Sequence, residues 1–66
     1  MARRSKIDAE KTRSQLIETA ARLFEERGYA GTSTAEICAQ LGITKGALFH
    51  HYRNKEELFR EVWTRL

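Results

Sequence analysis

The chain has 66 residues, enough for one small domain with a single hydrophobic cluster. Its composition, with no proline, 4 glycines and 41% hydrophobic residues, argues against an all-β or loop-rich fold and favours an all-α domain. A single cysteine excludes an internal disulfide framework, and no apolar run approaches the roughly 20 residues of a membrane span. Because no apolar segment follows the basic N-terminus, we expect no secretory signal and a cytoplasmic protein without a membrane partner.

The net positive charge is concentrated at the N-terminus. Residues 1–13 hold five basic and two acidic side chains, whereas residues 14–66 hold seven of each. The start of the chain shows no helical periodicity, so residues 1–8 are predicted to be a flexible basic arm. Such an arm beside a neutral body suits an anionic polymer such as nucleic acid. A solvated tail with no partner is the alternative, and charge alone does not separate the two.

The first helix is predicted over residues 9–27. Asp8 can cap its N-terminus, and Gly28 follows it as a left-handed C-terminal stop. Apolar residues recur at helical spacing and form one stripe that should face the core. These residues are Leu16, Ile17, Ala20, Leu23 and Phe24.

A second, shorter helix is predicted over residues 34–41. Ser33 and Glu36 form a capping-box pattern at its start, and Gly42 ends it. A small side chain is required at Cys38, where this helix approaches the next one, so we assign that residue to packing. With no second cysteine and no paired histidine site, thiol chemistry, a metal site and other cofactors are not expected. The inward-facing residues are Ile37, Cys38 and Leu41.

The third helix is predicted over residues 45–51, directly after the glycine turn. Thr44 is a suitable N-cap, and Ile43 before it should plug the core. Leu48 and Tyr52 should face inward, which leaves the other side of the helix to solvent or to a partner.

The fourth helix is predicted over residues 55–66, with a capping pattern at Asn54 and Glu57. Its apolar residues lie on one side. The sequence ends while this pattern is still periodic, so we expect a chain cut from a longer protein. The apolar residues are Leu58, Phe59, Val62 and Leu66, with Trp63 beside them.

Residues 33–57 therefore contain two short helices joined by a tight turn across Gly42, followed at once by another helix start. This is the sequence form of a helix-turn-helix, which presents its second helix to the major groove of DNA. We predict a small, homeodomain-like helical bundle over residues 9–66. It consists of a three-helix DNA-binding domain and the start of a linking fourth helix.

Three residues of the third helix each have two interpretations. Gly46 costs about 1 kcal/mol relative to alanine in a helix interior and less in a first turn. It is either tolerated there or it lets the backbone come close to DNA. His50 and His51 are adjacent, point to different sides of the helix and cannot share a metal ion. They are either exposed histidines without a function or contacts to nucleic acid. Their place at the end of the third helix, the one predicted to enter the DNA groove, favours the second interpretation.

The middle of the chain reads Gly28-Tyr29-x-Gly31-Thr32-Ser33, then Ile37-Cys38-x-x-Leu41-Gly42-Ile43-Thr44-Lys45-Gly46-Ala47-Leu48-Phe49-x-His51-Tyr52-x-Asn54-Lys55-Glu56-x-Leu58. This series resembles the DNA-binding domain of the TetR family of transcriptional regulators. With the basic opening, Thr12-Arg13 and the apolar stripe of the first helix, the chain is similar to the AcrR-like multidrug-efflux repressors of that family. The resemblance covers nearly all 66 residues.

Two positions depart from the family pattern. The family usually has tyrosine where this chain has Phe49, so a hydroxyl contact to phosphate is lost. It usually has phenylalanine where this chain has Tyr52. The ring of Tyr52 should be buried, and its hydroxyl should reach a partner or the surface.

The resemblance implies a division of the DNA contacts. The start of the third helix reads base edges, whereas the starts of the second and fourth helices, with the basic arm, contact phosphates. The implied base contacts are Thr44, Lys45, Gly46, Ala47, Phe49 and His50. The implied phosphate contacts are Arg3, Arg4, Lys6, Ser33, Thr34, His51 and Lys55.

The resemblance also implies partners. Full-length members of the family are homodimers that bind palindromic operators in double-stranded DNA, most often as repressors. A C-terminal domain carries the dimer interface and binds a small-molecule effector. That domain is absent from these 66 residues, so we expect weak or no dimerisation of this chain and no effector site of its own.

The sequence also bears on two other classes of function. A small protein-interaction module with a basic arm is the alternative, and it predicts little discrimination between DNA sequences and an exposed apolar patch on the fourth helix. An enzyme is not expected, because the sequence shows no nucleophile–base pair, no carboxylate pair in a pocket, no metal-ligand spacing and no phosphate loop.

Overall fold

The computed structural model describes the backbone of residues 5–65 and the side chains of residues 10–64. None of the helices in this part of the chain is long and apolar enough to cross a membrane. The second and third helices have the bounds predicted from the sequence. Over residues 5–65 the chain forms four α-helices and no strand: α1 (Ser5–Arg27), α2 (Thr34–Leu41), α3 (Lys45–His51) and α4 (Lys55–Arg65).

α1 begins at Ser5, four residues before its predicted start at position 9, so the predicted flexible arm is wrong for residues 5–8. Asp8, predicted as the N-cap, lies inside the helix. Residues 5–11 contain no glycine or proline, and their lysine, glutamate and alanine residues favour helix, so the helix extends past Asp8 toward the N-terminus. Residues 1–4 of the predicted arm lie outside the described residues.

The four helices close around one hydrophobic core, because α1 packs against α2 and α4 while α2 packs against α3. The apolar stripe predicted for α1 is buried throughout. Leu41, Ile43 and Phe59 are partly buried at the edge of the core. Trp63 is 67% exposed, and Leu66 lies outside the described residues. The core residues are Leu16, Ile17, Ala20, Leu23, Phe24, Ile37, Cys38, Leu48, Tyr52, Leu58 and Val62.

Side-chain caps fix the starts of the three shorter helices. Each predicted cap accepts a hydrogen bond from the backbone N–H three residues on, at 3.1 Å for Ser33, 3.1 Å for Thr44 and 2.8 Å for Asn54. At α4 the Glu57 carboxylate also reaches back, but it accepts a hydrogen bond from the N–H of Arg53, one residue before the Asn54 cap, at 2.7 Å. These caps set the spacing of the helix-turn-helix.

The capping box predicted at α2 differs from this arrangement. Ser33 accepts its hydrogen bond from the N–H of Glu36, but the Glu36 carboxylate forms an ion pair with Arg27 at the end of α1. A cation within reach attracts a carboxylate more strongly than a neutral N–H does. The ion pair therefore joins the last turn of α1 to the first turn of α2.

The turn between α1 and α2 is held by glycine geometry and a buried hydroxyl. Gly28 has a φ of +79°, the left-handed conformation predicted for a helix stop. Thr32 is 1% exposed, and its hydroxyl lies 3.1 Å from the carbonyl oxygen of Leu23 and 2.9 Å from that of Gly28. A Cβ at Gly31 would stand 2.4 Å from a carbonyl oxygen at the end of α1. Both the backbone conformation of this turn and the side chains it can accommodate are therefore restricted.

The turn between α2 and α3 is equally tight. Gly42 has a φ of +70°, and its N–H donates to the carbonyl oxygen of Ala39 at 3.3 Å. The following N–H, of Ile43, donates to the carbonyl oxygen of Cys38 at 3.0 Å, which completes the C-cap of α2. The Cys38 thiol is buried 3.5 Å from the carbonyl oxygen of Thr44, and burial raises its pKa. A buried thiol with a raised pKa suits packing, as predicted, better than reactivity.

Candidate nucleic-acid interface

α3 has a buried side and an exposed side. Leu48 and Tyr52 are 0% and 4% exposed and anchor the helix in the core. The residues predicted to contact bases lie on the other side, where the N-terminal half of the helix carries small side chains and the C-terminal half carries rings. Thr44, Lys45, Gly46, Phe49 and His50 are exposed, and Ala47 is half-buried.

The packing of the domain does not require glycine at position 46. A Cβ built on Gly46 would lie 3.7 Å from Oγ1 of Thr44, an ordinary van der Waals distance. The fold therefore has room for alanine there, and alanine has the higher helix propensity. This observation favours the interpretation in which the missing side chain serves contact with a partner.

Beside α3 the surface forms a shallow pocket of about 360 Å³. Its lining includes residues at the N-termini of α2 and α4, and a helix N-terminus carries unpaired backbone N–H groups and the positive end of the helix dipole. Such a surface suits a phosphate group. Three of the predicted phosphate contacts are brought together here, together with an exposed arginine. The lining residues are Ser33, Thr34, Phe49, Arg53, Asn54 and Lys55.

Arg53 is the pocket residue that the sequence analysis missed. It lies between α3 and α4, it is exposed, and its backbone N–H is bound by Glu57. A guanidinium can contact a phosphate through two N–H groups at once. The signal that could have found it is its place one residue before the Asn54 cap, at the N-terminal end of α4.

Lys55 has a second role that the sequence analysis did not predict. Its ammonium donates to the carbonyl oxygens of Tyr29 and Thr32 at 2.8 and 2.7 Å. An ammonium has three N–H donors, so these bonds leave one for a phosphate in the pocket. Lys55 therefore holds the α1–α2 turn and also lines the pocket.

His51, another predicted phosphate contact, does not line the pocket. It is half-buried at the end of α3, with its ring centre 5.4 Å from that of His50. Burial lowers its pKa, and the nearby His50 and Arg13 lower it further. Its imidazole is therefore neutral near pH 7, so that it would offer a phosphate a neutral N–H donor.

The two departures from the family pattern have different surroundings. The ring of Phe49 is 44% exposed and lines the pocket. The ring of Tyr52 is buried as predicted, and its hydroxyl accepts a hydrogen bond from Nε of Arg13 at 3.4 Å. The same guanidinium has Nη2 3.6 Å from Oε2 of Glu61 in α4. The predicted partner of the Tyr52 hydroxyl is therefore Arg13 of α1.

The side chains predicted to make the contacts of the basic N-terminus lie outside the described residues. Arg3 and Arg4 lie outside the described residues. Lys6 lies within the backbone of α1, and its side chain is not among those described.

The profile of the bacterial regulatory proteins of the tetR family matches residues 16–62, which include the whole helix-turn-helix. The chain belongs to the TetR family. Its α2 and α3 form the helix-turn-helix of the TetR-type DNA-binding domain, as predicted.

Three curated relatives extend this result. The HTH-type transcriptional regulator TtgR of Pseudomonas putida is 48% identical over 62 residues, which is 94% of this chain and 30% of the relative. The HTH-type transcriptional regulator AcrR of Shigella flexneri is 41% identical over 63 residues, 96% of this chain and 29% of the relative. The probable acrEF/envCD operon repressor of Escherichia coli K12 is 43% identical over 63 residues, with the same coverage of 96% and 29%.

These relatives place the chain in the AcrR-like part of the TetR family, as the sequence analysis expected. The chain spans about 30% of the length of the relatives it matches. No solved structure gives a significant match.

Proposed function

We propose that this domain binds double-stranded DNA sequence-specifically, as the DNA-binding part of a TetR-like transcriptional repressor in the cytoplasm. The observation that carries the proposal is the exposed side of α3, where small residues and a lysine stand next to a pocket formed by two helix N-termini. α3 has the width to enter a major groove, and the pocket lies where a backbone phosphate at the edge of that groove would fall.

Sequence would be read by the exposed side of α3. The ammonium of Lys45 can donate to O6 and N7 of guanine, and Ala47 can contact the methyl group of thymine. Gly46 lets the backbone approach the base pairs. Phe49 and His50 extend the same side toward neighbouring base pairs, and Thr44 precedes it, with its hydroxyl oxygen accepting a hydrogen bond from the N–H of Ala47.

Affinity and register would come from phosphate contacts, which carry no sequence information of their own. Ser33 and Thr34 offer the N-terminus of α2, and Lys55 offers its remaining N–H donor. We add Arg53, which lines the same pocket. His51, the last residue of α3, lies outside the pocket and would bind a separate phosphate.

The contacts of Arg3, Arg4 and Lys6 remain part of the proposal. Such basic residues would follow the backbone or enter an adjoining minor groove.

Regulation would involve the larger protein. The relatives are named as regulators or as an operon repressor, and this chain corresponds to about 30% of their length. We propose that the full-length protein is a homodimer on a palindromic operator and that a small-molecule effector acts through the C-terminal remainder. These 66 residues would bind one half-site weakly.

One observation supports the alternative, a protein-interaction module. An apolar groove of about 590 Å³ lies between α1 and α4, and Trp63 at its side is 67% exposed. The apolar patch expected for that alternative is therefore present. The groove does not exclude DNA binding, because it is formed by α1 and α4, whereas the pocket and the exposed side of α3 belong to other residues.

Selection of bound duplexes from a random pool tests the proposed function. The expected result is an enriched motif whose selected duplex binds at least about tenfold more tightly than a scrambled duplex of the same length. Fluorescence anisotropy at several salt concentrations measures both affinities. Equal binding of the two duplexes would exclude sequence reading and leave the interaction module as the better description. The enriched motif also shows whether the site is a palindrome or a single half.

A further inference from the structure

Arg13 of α1 contacts both the end of α3 and the side of α4. Its Nε donates to the Tyr52 hydroxyl at 3.4 Å, and its Nη2 lies 3.6 Å from the Glu61 carboxylate. Tyr52 is the C-cap of α3, and its own N–H donates to the carbonyl oxygen of Leu48 at 3.0 Å. One guanidinium therefore connects three helices at the C-terminal end of the recognition helix.

α3 depends on such contacts for its orientation. It has 7 residues, far fewer than the roughly 12–15 that an isolated helix needs to be even marginally stable in water. Its N-terminal end is fixed by the Thr44 cap and the tight glycine turn. Its C-terminal end is fixed by Tyr52, whose ring is 4% exposed and whose hydroxyl is bound by Arg13. A small rotation about the N-terminal anchor would move the exposed side of α3 most at this far end.

The Tyr52 hydroxyl is the atom that makes this contact possible. Phenylalanine, the residue usual in the family at this position, would fill the same space in the core without an acceptor for Arg13. The ring alone holds α3 by packing, which tolerates small shifts. A hydrogen bond restricts distance and direction as well.

We propose that Arg13 is a positioning residue for DNA reading: through the Tyr52 hydroxyl it fixes the far end of α3, so operator discrimination depends on a side chain that contacts no base. This inference rests on the proposed DNA-binding function. Glu61 on α4 lies 3.6 Å from Nη2 of the same guanidinium, so the Arg13 head group has two partners before DNA binds.

A competing explanation is that Arg13 simply contacts a phosphate, since its side chain is 46% exposed. The two explanations predict different results. If Arg13 contacts a phosphate, its removal lowers affinity on every duplex and reduces the salt slope by about 0.9. If Arg13 is a positioning residue, its removal lowers affinity for the selected duplex more than for a scrambled one and leaves the salt slope unchanged.

The experiment measures the affinity of the 66-residue chain for its selected duplex and for a scrambled duplex, with four variants. Arg13→Gln and Tyr52→Phe each remove one side of the contact, and the double variant removes both. Arg22→Gln is the matched control, because Arg22 also lies on α1 and makes a hydrogen bond of the same 3.4 Å length, to Gln40 of α2. Circular dichroism establishes that each variant is folded at the assay temperature.

Each single variant is expected to lose about three- to tenfold affinity for the selected duplex and less than about twofold for the scrambled one. The double variant should be no weaker than the weaker single variant, because both changes remove the same contact. The Arg22→Gln control should bind like the parent. Tyr52→Phe keeps the core packed, so it tests the hydroxyl even if Arg13→Gln is unstable.

Three results overturn the inference. Equal loss on both duplexes with a reduced salt slope makes Arg13 a phosphate contact. If Tyr52→Phe discriminates between the two duplexes as the parent does, the hydroxyl does not position α3. If the affinity losses of the two single variants add in the double variant, the two residues act separately. If the parent itself does not discriminate between duplexes, the proposed function fails as well, and that result is distinguishable from the others because it appears before any variant is made.

Discussion

The ammonium of Lys55 is bound to the carbonyl oxygen of Tyr29 at 2.8 Å, across 26 positions of sequence. The same ammonium lies 4.2 Å from the centre of the Tyr29 ring and donates to the carbonyl oxygen of Thr32 at 2.7 Å. The first residue of α4 thus closes the turn from which α2 begins. The geometry of the helix-turn-helix and the proposed contact to DNA therefore depend on the same side chain.

Lys55→Ala should therefore lower both stability and DNA affinity. Loss of two charge-assisted hydrogen bonds to backbone carbonyls at a partly buried site is expected to cost about 1–3 kcal/mol of unfolding free energy. Loss of a phosphate contact should lower affinity on all duplexes alike and reduce the salt slope by about 0.9. Urea unfolding followed by circular dichroism gives the first quantity, and anisotropy titrations at several salt concentrations give the second.

Lys45→Ala provides the control for stability, since Lys45 is exposed at the start of α3 and its loss should change the unfolding free energy by no more than about 0.5 kcal/mol. If Lys55→Ala unfolds at the same urea concentration as the parent, the hydrogen bonds from Lys55 to the turn do not stabilise the domain. A loss of affinity confined to the selected duplex would contradict the phosphate assignment.

Sequence patterns predicted the features that depend on neighbouring residues. The caps at Ser33, Thr44 and Asn54 were predicted because each bonds a backbone N–H three positions away. The helix ends at Gly28 and Gly42 were predicted, the first as a left-handed stop, because glycine adopts a positive φ at little cost. The buried side of each helix follows from the same local periodicity.

Features that depend on distant residues could not be predicted in this way. The bonds from Lys55 to the α1–α2 turn span 26 and 23 positions, and the bond from Arg13 to Tyr52 spans 39. No periodicity reports contacts at such separations. The ion pair between Glu36 and Arg27 forms only once α1 and α2 are packed. Local sequence therefore predicted the Glu36 carboxylate in the capping box of α2 instead.

Lys45→Ala also tests base reading. Because Lys45 is exposed on the side of α3 opposite the core, its removal should weaken binding to the selected duplex by about 1–3 kcal/mol and relax the preference at one base pair. Affinities for a panel of duplexes with single base-pair changes measure this effect. If the variant discriminates among them as the parent does, Lys45 does not read a base.

Gly46→Ala should separate the needs of the fold from the needs of DNA. The added Cβ meets only Oγ1 of Thr44, at 3.7 Å, so the unfolding free energy should stay the same or rise by up to about 1 kcal/mol. Affinity for the selected duplex should fall, because the added methyl group stands between the backbone and the groove. Chemical unfolding and anisotropy titration are the measurements.

Gly31→Ala is the matched comparison, because its Cβ would stand 2.4 Å from the carbonyl oxygen of Arg27. This variant should be clearly destabilised, since a backbone atom must move to admit the side chain. If Gly46→Ala binds the selected duplex with the affinity of the parent, Gly46 is a glycine tolerated at a helix start and has no role in DNA contact.

His51 should give the domain two opposite responses to pH. Burial, followed by the proximity of His50 and Arg13, lowers the pKa of His51 below its ordinary value of 6.5. Between that lowered pKa and 6.5, the unfolded chain binds more protons than the folded chain, so stability should fall as the pH falls through this window. A phosphate beside His51 would favour the protonated imidazole, so binding would take up a proton and affinity should rise as the pH falls toward the lowered pKa of the free domain.

Unfolding midpoints and dissociation constants measured between about pH 5 and 8 check both trends. His51→Gln should flatten both, because glutamine can still donate a hydrogen bond but does not titrate. His50→Gln, which removes the neighbouring exposed ring, should keep the opposing slopes. If His51→Gln retains the rise in affinity at low pH, the proton is taken up elsewhere and His51 is not the phosphate contact. If only the stability trend disappears, the half-buried imidazole serves the fold, and the phosphate contacts of the domain are those of the pocket residues without His51.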